Sequence, residues 1–222
     1  MTSEYFYAII GNRCYPTNVT YGGLMPPKIQ FSKEDIVLAA FRLVQREGIE
    51  AFTARTVAEE LGASVKVLFR DFPSLSDLKK AVITYAERFN ADYTMKAMQN
   101  ATNVPPYKAS GVAYIRFAWE EPHLFSLLYM RDRSGESIDD GKENLAPYIH
   151  AIVAHSNLTE DAAYRLHLEM WIYVHGLASM IVTKYLRWDE EFILSSITDV
   201  YQGIKMKFEK DPINLRKEGE AK

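Results

Sequence analysis

Apolar residues recur at helical period along most of the chain, and short polar breaks divide them into separate runs. From Ser32 to about Glu47, Ile36, Ala40, Leu43 and Val44 keep the three-and-four spacing of one helical face. Ser32 is placed to cap this helix, Asp35 sits at its third position and Gly48 closes it. A second helix opens at Thr53, turns Val57, Ala58 and Leu61 inward and stops at Gly62. At barely two turns it is marginal alone in water, so its neighbours have to hold it. Gly62-Ala63-Ser64 then delivers a third helix, Val65 to Phe72, with Ser64 as its N-cap. Leu68 and Phe72 share its inward face, and Lys66 and Arg70 share another. Helices joined by connections this short, with a tight turn before the last, form the unit by which small domains present one helix to a DNA groove.

Beyond this unit the period stays helical. Ser74 with Asp77 makes a capping arrangement for a long helix that reaches Gln99. Pro105-Pro106 restart the chain, and Val112, Ile115 and Trp119 stripe the helix that follows. Glu121-Pro122 break it, His123 to Met130 form a short apolar helix, and residues 131–140 make a polar loop. Further helices are expected from about Pro147 to His155, from the cap Thr159 to about Tyr185, and from about Asp189 to Phe208. Nothing reads as a repeat or as a strand-helix-strand unit, so the body is all-α. Residues 1–24 are an irregular leader, because Gly11, Asn12, Pro16, Asn18, Gly22 and Gly23 break any period apart from a short strand at Tyr5 to Ile10. Met25-Pro26-Pro27-Lys28 ahead of the first helix reads as a natural start, which makes the leader a misread start or a dispensable arm. The competing reading is an arm that packs on the body or enters a minor groove.

From Phe31 to about Ala86 the chain resembles the tetracycline-repressor (TetR) family of bacterial transcriptional regulators. The matching residues are Ile36-Val37-Leu38-Ala39-Ala40, Thr53, Val57-Ala58 and Gly62-Ala63-Ser64, then Leu68 to Ser74 and Leu78. The resemblance implies a homodimer that binds double-stranded operator DNA and answers a small-molecule effector, acting as a one-component repressor in the cytoplasm. Thr53, Arg55, Ser64, Val65, Lys66, Phe69 and Arg70 are the residues expected at DNA. The family usually carries Tyr, His and Lys where this chain has Phe69, Asp71 and Leu75, and those residues commonly touch phosphate. The departures motivate an alternative function: a TetR-fold ligand-binding or protein-interaction module with weakened or lost DNA binding.

Charge bears on that choice. Residues 25–80 hold nine Lys or Arg against eight Asp or Glu, residues 81–222 hold sixteen against twenty, and the whole chain carries −3. This is not a general polyanion binder, and the few basic residues that could serve are Lys28, Lys33, Arg55, Lys66 and Arg70. Each neutralised phosphate adds about 0.9 to the salt slope, so a specific but shallowly salt-dependent interaction is expected. A single cysteine, Cys14, excludes an internal disulfide framework, and no apolar run approaches the ~20 residues of a membrane span. No metalloprotease His pair, nucleophile elbow, phosphate-cradling glycine loop or Cys-x-x-Cys is present, so no enzyme, metal or cofactor is expected.

A second resemblance covers Tyr114-Ile115-Arg116-Phe117-Ala118, Pro122, Leu124-Phe125, Trp171 and His175-Gly176-Leu177-Ala178. It is similar to the effector-binding domain of a TetR subgroup named for its Trp, His and Gly. The implied architecture is an N-terminal helix-turn-helix three-helix unit (residues 25–80), a C-terminal multi-helix ligand-binding and dimerisation domain (81–210) and a charged tail (211–222). An aromatic effector pocket is expected at Phe117, Phe125, Tyr129, Trp171 and His175, with Tyr148 and His167 behind them. Glu120 and Glu169 suggest a cationic effector. In the family the last two helices pair between subunits, and here Leu177, Ala178, Ile181, Ile193, Ile197 and Ile204 are the expected interface. The competing reading of those six is an ordinary core within one chain.

Overall fold

Ser32 and Asp35 open the helical body with a reciprocal cap. Ser32 Oγ accepts from the Asp35 amide at 3.1 Å, and Asp35 Oδ2 accepts from the Ser32 amide at 2.9 Å. The computed structural model describes residues 7–10, 13–16, 31–136 and 142–216. Helix α1 (Lys33–Glu47) closes at Gly48, whose φ of 85° no other residue adopts without strain. A single 3-10 turn (Ile49–Ala51) leads to α2 (Ala54–Leu61). There Thr53 and Thr56 repeat the reciprocal cap, and Gly62 ends the helix in the left-handed conformation.

Helix α3 (Val65–Asp71) departs from expectation at its start. Ser64 has the extended backbone of an N-cap, but its hydroxyl makes no capping bond. What holds so short a helix is burial: Leu68 and Phe72 are buried, as are Ile36, Val44, Val57 and Leu61 of the same unit. Burial of one such side chain stabilises by roughly 2 kcal/mol.

Helix α4 (Leu75–Gln99) is capped by Ser74, which accepts from the Asp77 amide. Its buried residues Leu78, Val82, Ala86, Asn90, Thr94 and Met98 are each four apart. Four residues advance about 400° around a helix, so the buried stripe winds by about 40° per step, roughly 200° in all. One helix thereby offers one side to α1–α3 and nearly the opposite side to the helices that follow. An aromatic ladder fixes its middle, with Phe41 of α1 lying 4.8 Å from Tyr85 and 5.4 Å from Phe89, and Phe89 6.3 Å from Phe117.

The remaining helices are α5 (Pro106–Glu120), α6 (Pro122–Tyr129), α7 (Ala146–Ala154), α8 (Glu160–Val182) and α9 (Glu190–Glu209). Their shared core is Ile115, Phe117, Leu124, Phe125, Ile152 and Leu166, all fully buried. After α9 the chain does not trail away. Residues 211–216 return to the α7–α8 turn, where the Thr159 amide donates to the Asn214 carbonyl and the Arg216 amide to that of Asn157.

Met1–Phe31 is a separate unit. Within it β1 (Tyr7–Ile10) pairs antiparallel with β2 (Arg13–Pro16), in the register Tyr7 to Pro16 through Ile10 to Arg13. The expected strand is present over Tyr7–Ile10, Tyr5 and Phe6 lying outside the described residues, and it has a partner that the reading of residues 1–24 as otherwise irregular missed. The two-residue link Gly11-Asn12 was the hairpin signal. Met25 to Lys28, the end of the polar loop (137–140) and the last six residues lie outside the described residues. Among the described residues no helix is long and apolar enough to cross a membrane.

Candidate nucleic-acid interface and ligand cavity

Helix α3 turns four side chains outward. Val65 is 37% and Phe69 44% exposed, unusual for apolar residues of this size, and Lys66 and Arg70 stand beside them. The four basic candidates that are described are not equally available. Arg70 Nε and Nη2 both donate to Asp71 Oδ2, at 3.0 and 2.5 Å, and this bond raises the guanidinium pKa. Arg55 Nε pairs with Glu59 Oε1 at 2.9 Å, one turn along α2. Lys33 Nζ lies 5.0 Å from the centre of the Phe72 ring. Lys66 forms no ion pair with any described residue. Lys28 lies outside the described residues. Thr53, expected at phosphate, spends its hydroxyl on the α2 cap, whereas the Ser64 hydroxyl makes no such bond.

The second feature is a cavity of about 660 Å³ enclosed by α4 to α9. Tyr129, Tyr148, His167 and Trp171, all expected there, line it. Phe117 and Phe125 do not: both are fully buried core residues away from the wall. His175 also stands off the wall, where it stacks on Trp171 with ring centres 5.4 Å apart and meets the Tyr114 hydroxyl through Nδ1 at 2.9 Å. The wall includes residues not anticipated: Asn90 and Thr94 from α4, Tyr107 and Tyr114 from α5, and Ile197 and Tyr201 from α9. A usable signal existed, since Asn90 and Thr94 are polar residues on an otherwise apolar buried stripe.

The charged side chains on the cavity wall are Glu87, Lys108 and Lys205. Burial lowers His167 to about 4, so its imidazole is neutral, and Nδ1 lies 3.0 Å from the Tyr107 hydroxyl. Burial holds the phenols of Tyr107 and Tyr129 well above their usual range. Asn90 Nδ2 donates to the Tyr129 hydroxyl at 2.6 Å, while its buried Oδ1 has no partner among the described residues. The carboxylates expected to draw a cation are elsewhere. Glu169 pairs with Lys207 at 2.9 Å on the surface, and Glu120 accepts from Tyr93 at 2.6 Å.

Of the residues expected between subunits, Leu177, Ala178, Ile181, Ile193 and Ile197 are buried inside this chain, and Ile204 is half-buried. The outward stripes of the two helices are different ones. Helix α8 exposes Ile172, at 63%, and Met180; α9 exposes Phe192 and Met206. A Cβ added at Gly176 or Gly203, on the same helices, would meet nothing within 4 Å.

Comparison with known proteins decides the family. Residues 36–82 match the model of the bacterial regulatory proteins of the tetR family, and residues 107–196 match a tetracyclin repressor-like C-terminal domain. The chain belongs to the TetR family of transcriptional regulators. TetR proteins are transcription factors and not enzymes, and this TetR protein is likewise no enzyme. It is similar to an uncharacterized HTH-type transcriptional regulator of Mycobacterium tuberculosis (strain ATCC 25618 / H37Rv), at 26% identity over 69% of this chain and 72% of that one. In fold it is similar to a TetR family regulator from Marinobacter aquaeolei VT8, with a TM-score of 0.57, 16% identity, and 76% of this chain and 93% of that chain covered. It is also similar in fold to a TetR variant from Acinetobacter baumannii AYE in complex with minocycline. That match has a TM-score of 0.53 and 14% identity, covering 81% of this chain and 97% of the other.

Proposed function

We propose that this TetR-family regulator is a one-component repressor that binds operator DNA as a homodimer and releases it on taking up a small molecule. The reading assigns residues 25–80 to the DNA-binding domain and residues 81–210 to effector binding and dimerisation, in the cytoplasm. The observation that carries it is the span of helix α6. Its last residue, Tyr129, lines the cavity and bonds Asn90, while its opening turn packs on the end of α1. There Gln45 Nε2 donates to Glu121 Oε1 at 2.9 Å, just before α6, and the His123 ring lies against Gly48. A molecule that moves Tyr129 therefore pulls on the helix that supports α2 and α3. It acts through its differential affinity for two placements of the DNA-reading helices. The minocycline complex of the Acinetobacter variant supports an effector role for the cavity.

The dimer is formed by α8 and α9 through Ile172, Met180, Phe192 and Met206, with Gly176 and Gly203 allowing close approach. This reading replaces the buried isoleucine stripe with the outward one.

The lean contact surface favours a second reading, in which the fold keeps its ligand site but no longer holds DNA. The Arg70–Asp71 pair is the observation behind it. Selection of bound sequences from random duplexes at moderate salt separates the two. A repressor enriches a palindrome, Lys66→Ala and Arg70→Ala abolish the retained complex, and the salt slope stays below about eight. A module that has lost operator binding enriches nothing.

A further inference from the structure

We propose that the cavity takes a flat ring compound that is not a cation and carries a hydrogen-bond donor, which the Asn90 side-chain oxygen receives. The inference rests on the reading of the cavity as the effector site and adds the chemistry of the occupant. The size comes first: about 660 Å³ suits a drug-sized molecule and leaves ample room for several fused rings. The walls set the shape. Tyr148 and Trp171 line the space with their rings backed by imidazoles, at 5.3 Å from His167 and 5.4 Å from His175, which fixes both rings as platforms for a flat molecule.

The hydrogen-bond inventory sets the polarity. Tyr107 and His167 satisfy each other, Tyr114 is bonded to His175, Ser110 Oγ donates to the Tyr107 carbonyl, and Thr94 Oγ1 donates to that of Asn90. Among the described residues, Asn90 is the one member of this wall with a buried side-chain atom that has no partner. It is 8% exposed, it lines the cavity, and its Oδ1 is a buried acceptor without a donor. An N–H or O–H on a bound ring removes that cost, and a small rotation about the broad terminal torsion of the side chain brings the oxygen to the cavity surface.

Charge sets the rest. Three charged side chains line the cavity, Glu87, Lys108 and Lys205, and two of them are cations. Glu87 is exposed, and Lys205 already pairs with Glu209 at 3.4 Å. An ammonium deep in the cavity would lose its water and find only the exposed Glu87 carboxylate beside the cations Lys108 and Lys205.

The test uses the full chain and three tricyclic probes in calorimetric titrations: carbazole, N-methylcarbazole and N-methylacridinium. Carbazole is expected to bind roughly ten- to a hundredfold more tightly than its N-methyl relative, and N-methylacridinium more weakly than carbazole. Asn90→Leu is expected to erase the preference for N–H over N–CH3. A structural role for Asn90 would weaken both neutral probes alike and leave their ratio unchanged. The wild-type ratio needs no variant to fold. If N-methylcarbazole or N-methylacridinium binds wild type as tightly as carbazole, the proposed ligand class is wrong and the effector cavity stands. If no probe binds, or if Trp171→Ala leaves carbazole binding unchanged, the cavity reading falls with it.

Discussion

Replacing Gly48 by alanine tests how α1 is joined to α6. Two costs add at this position. Gly48 has φ 85° and ψ 174°, a region that only glycine occupies freely, and a side chain there costs about 1–3 kcal/mol. The added Cβ would also lie 2.9 Å from His123 Nδ1 and 3.3 Å from Cε1, closer than such atoms approach. The second cost is the smaller one, because His123 is exposed and its ring can swing aside. The sum is about 2 kcal/mol, which for a chain of this length lowers the melting temperature by roughly 4–8 °C. Urea unfolding at 25 °C measures it directly, through a lower midpoint at an unchanged slope. Comparing Gly48→Ala with the His123→Ala and double variants separates the two costs, since removing the ring relieves the contact and not the backbone strain. A Gly48→Ala variant within about 0.5 kcal/mol of wild type would refute the argument, because both costs would have to vanish.

Three other outcomes are expected. Asp71→Asn releases the Arg70 guanidinium from its neighbour, so operator affinity rises and the salt slope steepens by up to about 0.9 per phosphate gained; weaker binding would show that Asp71 positions Arg70 instead. Ile172→Arg places a charge on the outward stripe of α8 and yields a monomer in sedimentation at micromolar concentration with unchanged circular dichroism; an intact dimer would move the interface elsewhere. His167 takes up its proton near 6.5 in the unfolded chain and only near about 4 when folded. The neutral form is favoured by folding, so stability is complete above about pH 6.5 and falls as pH drops from there towards 4. The loss is on the order of 3 kcal/mol, and it disappears from the pH profile of His167→Gln if this imidazole is the cause.

Local signals read well from the sequence because they act over three or four residues. Ser32 with Asp35, Thr53, Gly48 and Gly62 start and stop their helices where expected, and Ser74 opens a helix that ends at Gln99. Ser64 shows the limit of such signals. It sits at the right place, but α3 is held by Leu68 and Phe72 and needs no hydroxyl bond. The site was harder to read, because helical period reports that a residue is inward and not what lies opposite it. Phe117 and Phe125 fit an aromatic pocket by composition, yet they fill the core, while Tyr107 and Tyr201 reach the cavity from helices distant in sequence. The stripes of α8 and α9 posed the same problem. These helices carry apolar residues on both sides, and which side faces a second chain depends on how each is rotated in the bundle, a property of the packed whole.

The chain end has a consequence for how the body opens. Helix α7 finishes with carbonyl groups that no later turn can satisfy, and the Arg216 guanidinium receives them, donating to Val153 and Ser156. Arg165 of α8 holds Asn214 in the same clip. Helix α7 also contributes Tyr148 to the cavity. Unfastening residues 211–216 therefore uncaps a helix more than fifty residues earlier in the chain. In hydrogen exchange the end of α7, the first turn of α8 and residues 211–216 should open as one cooperative unit, leaving the amides of α5 and the middle of α8 protected.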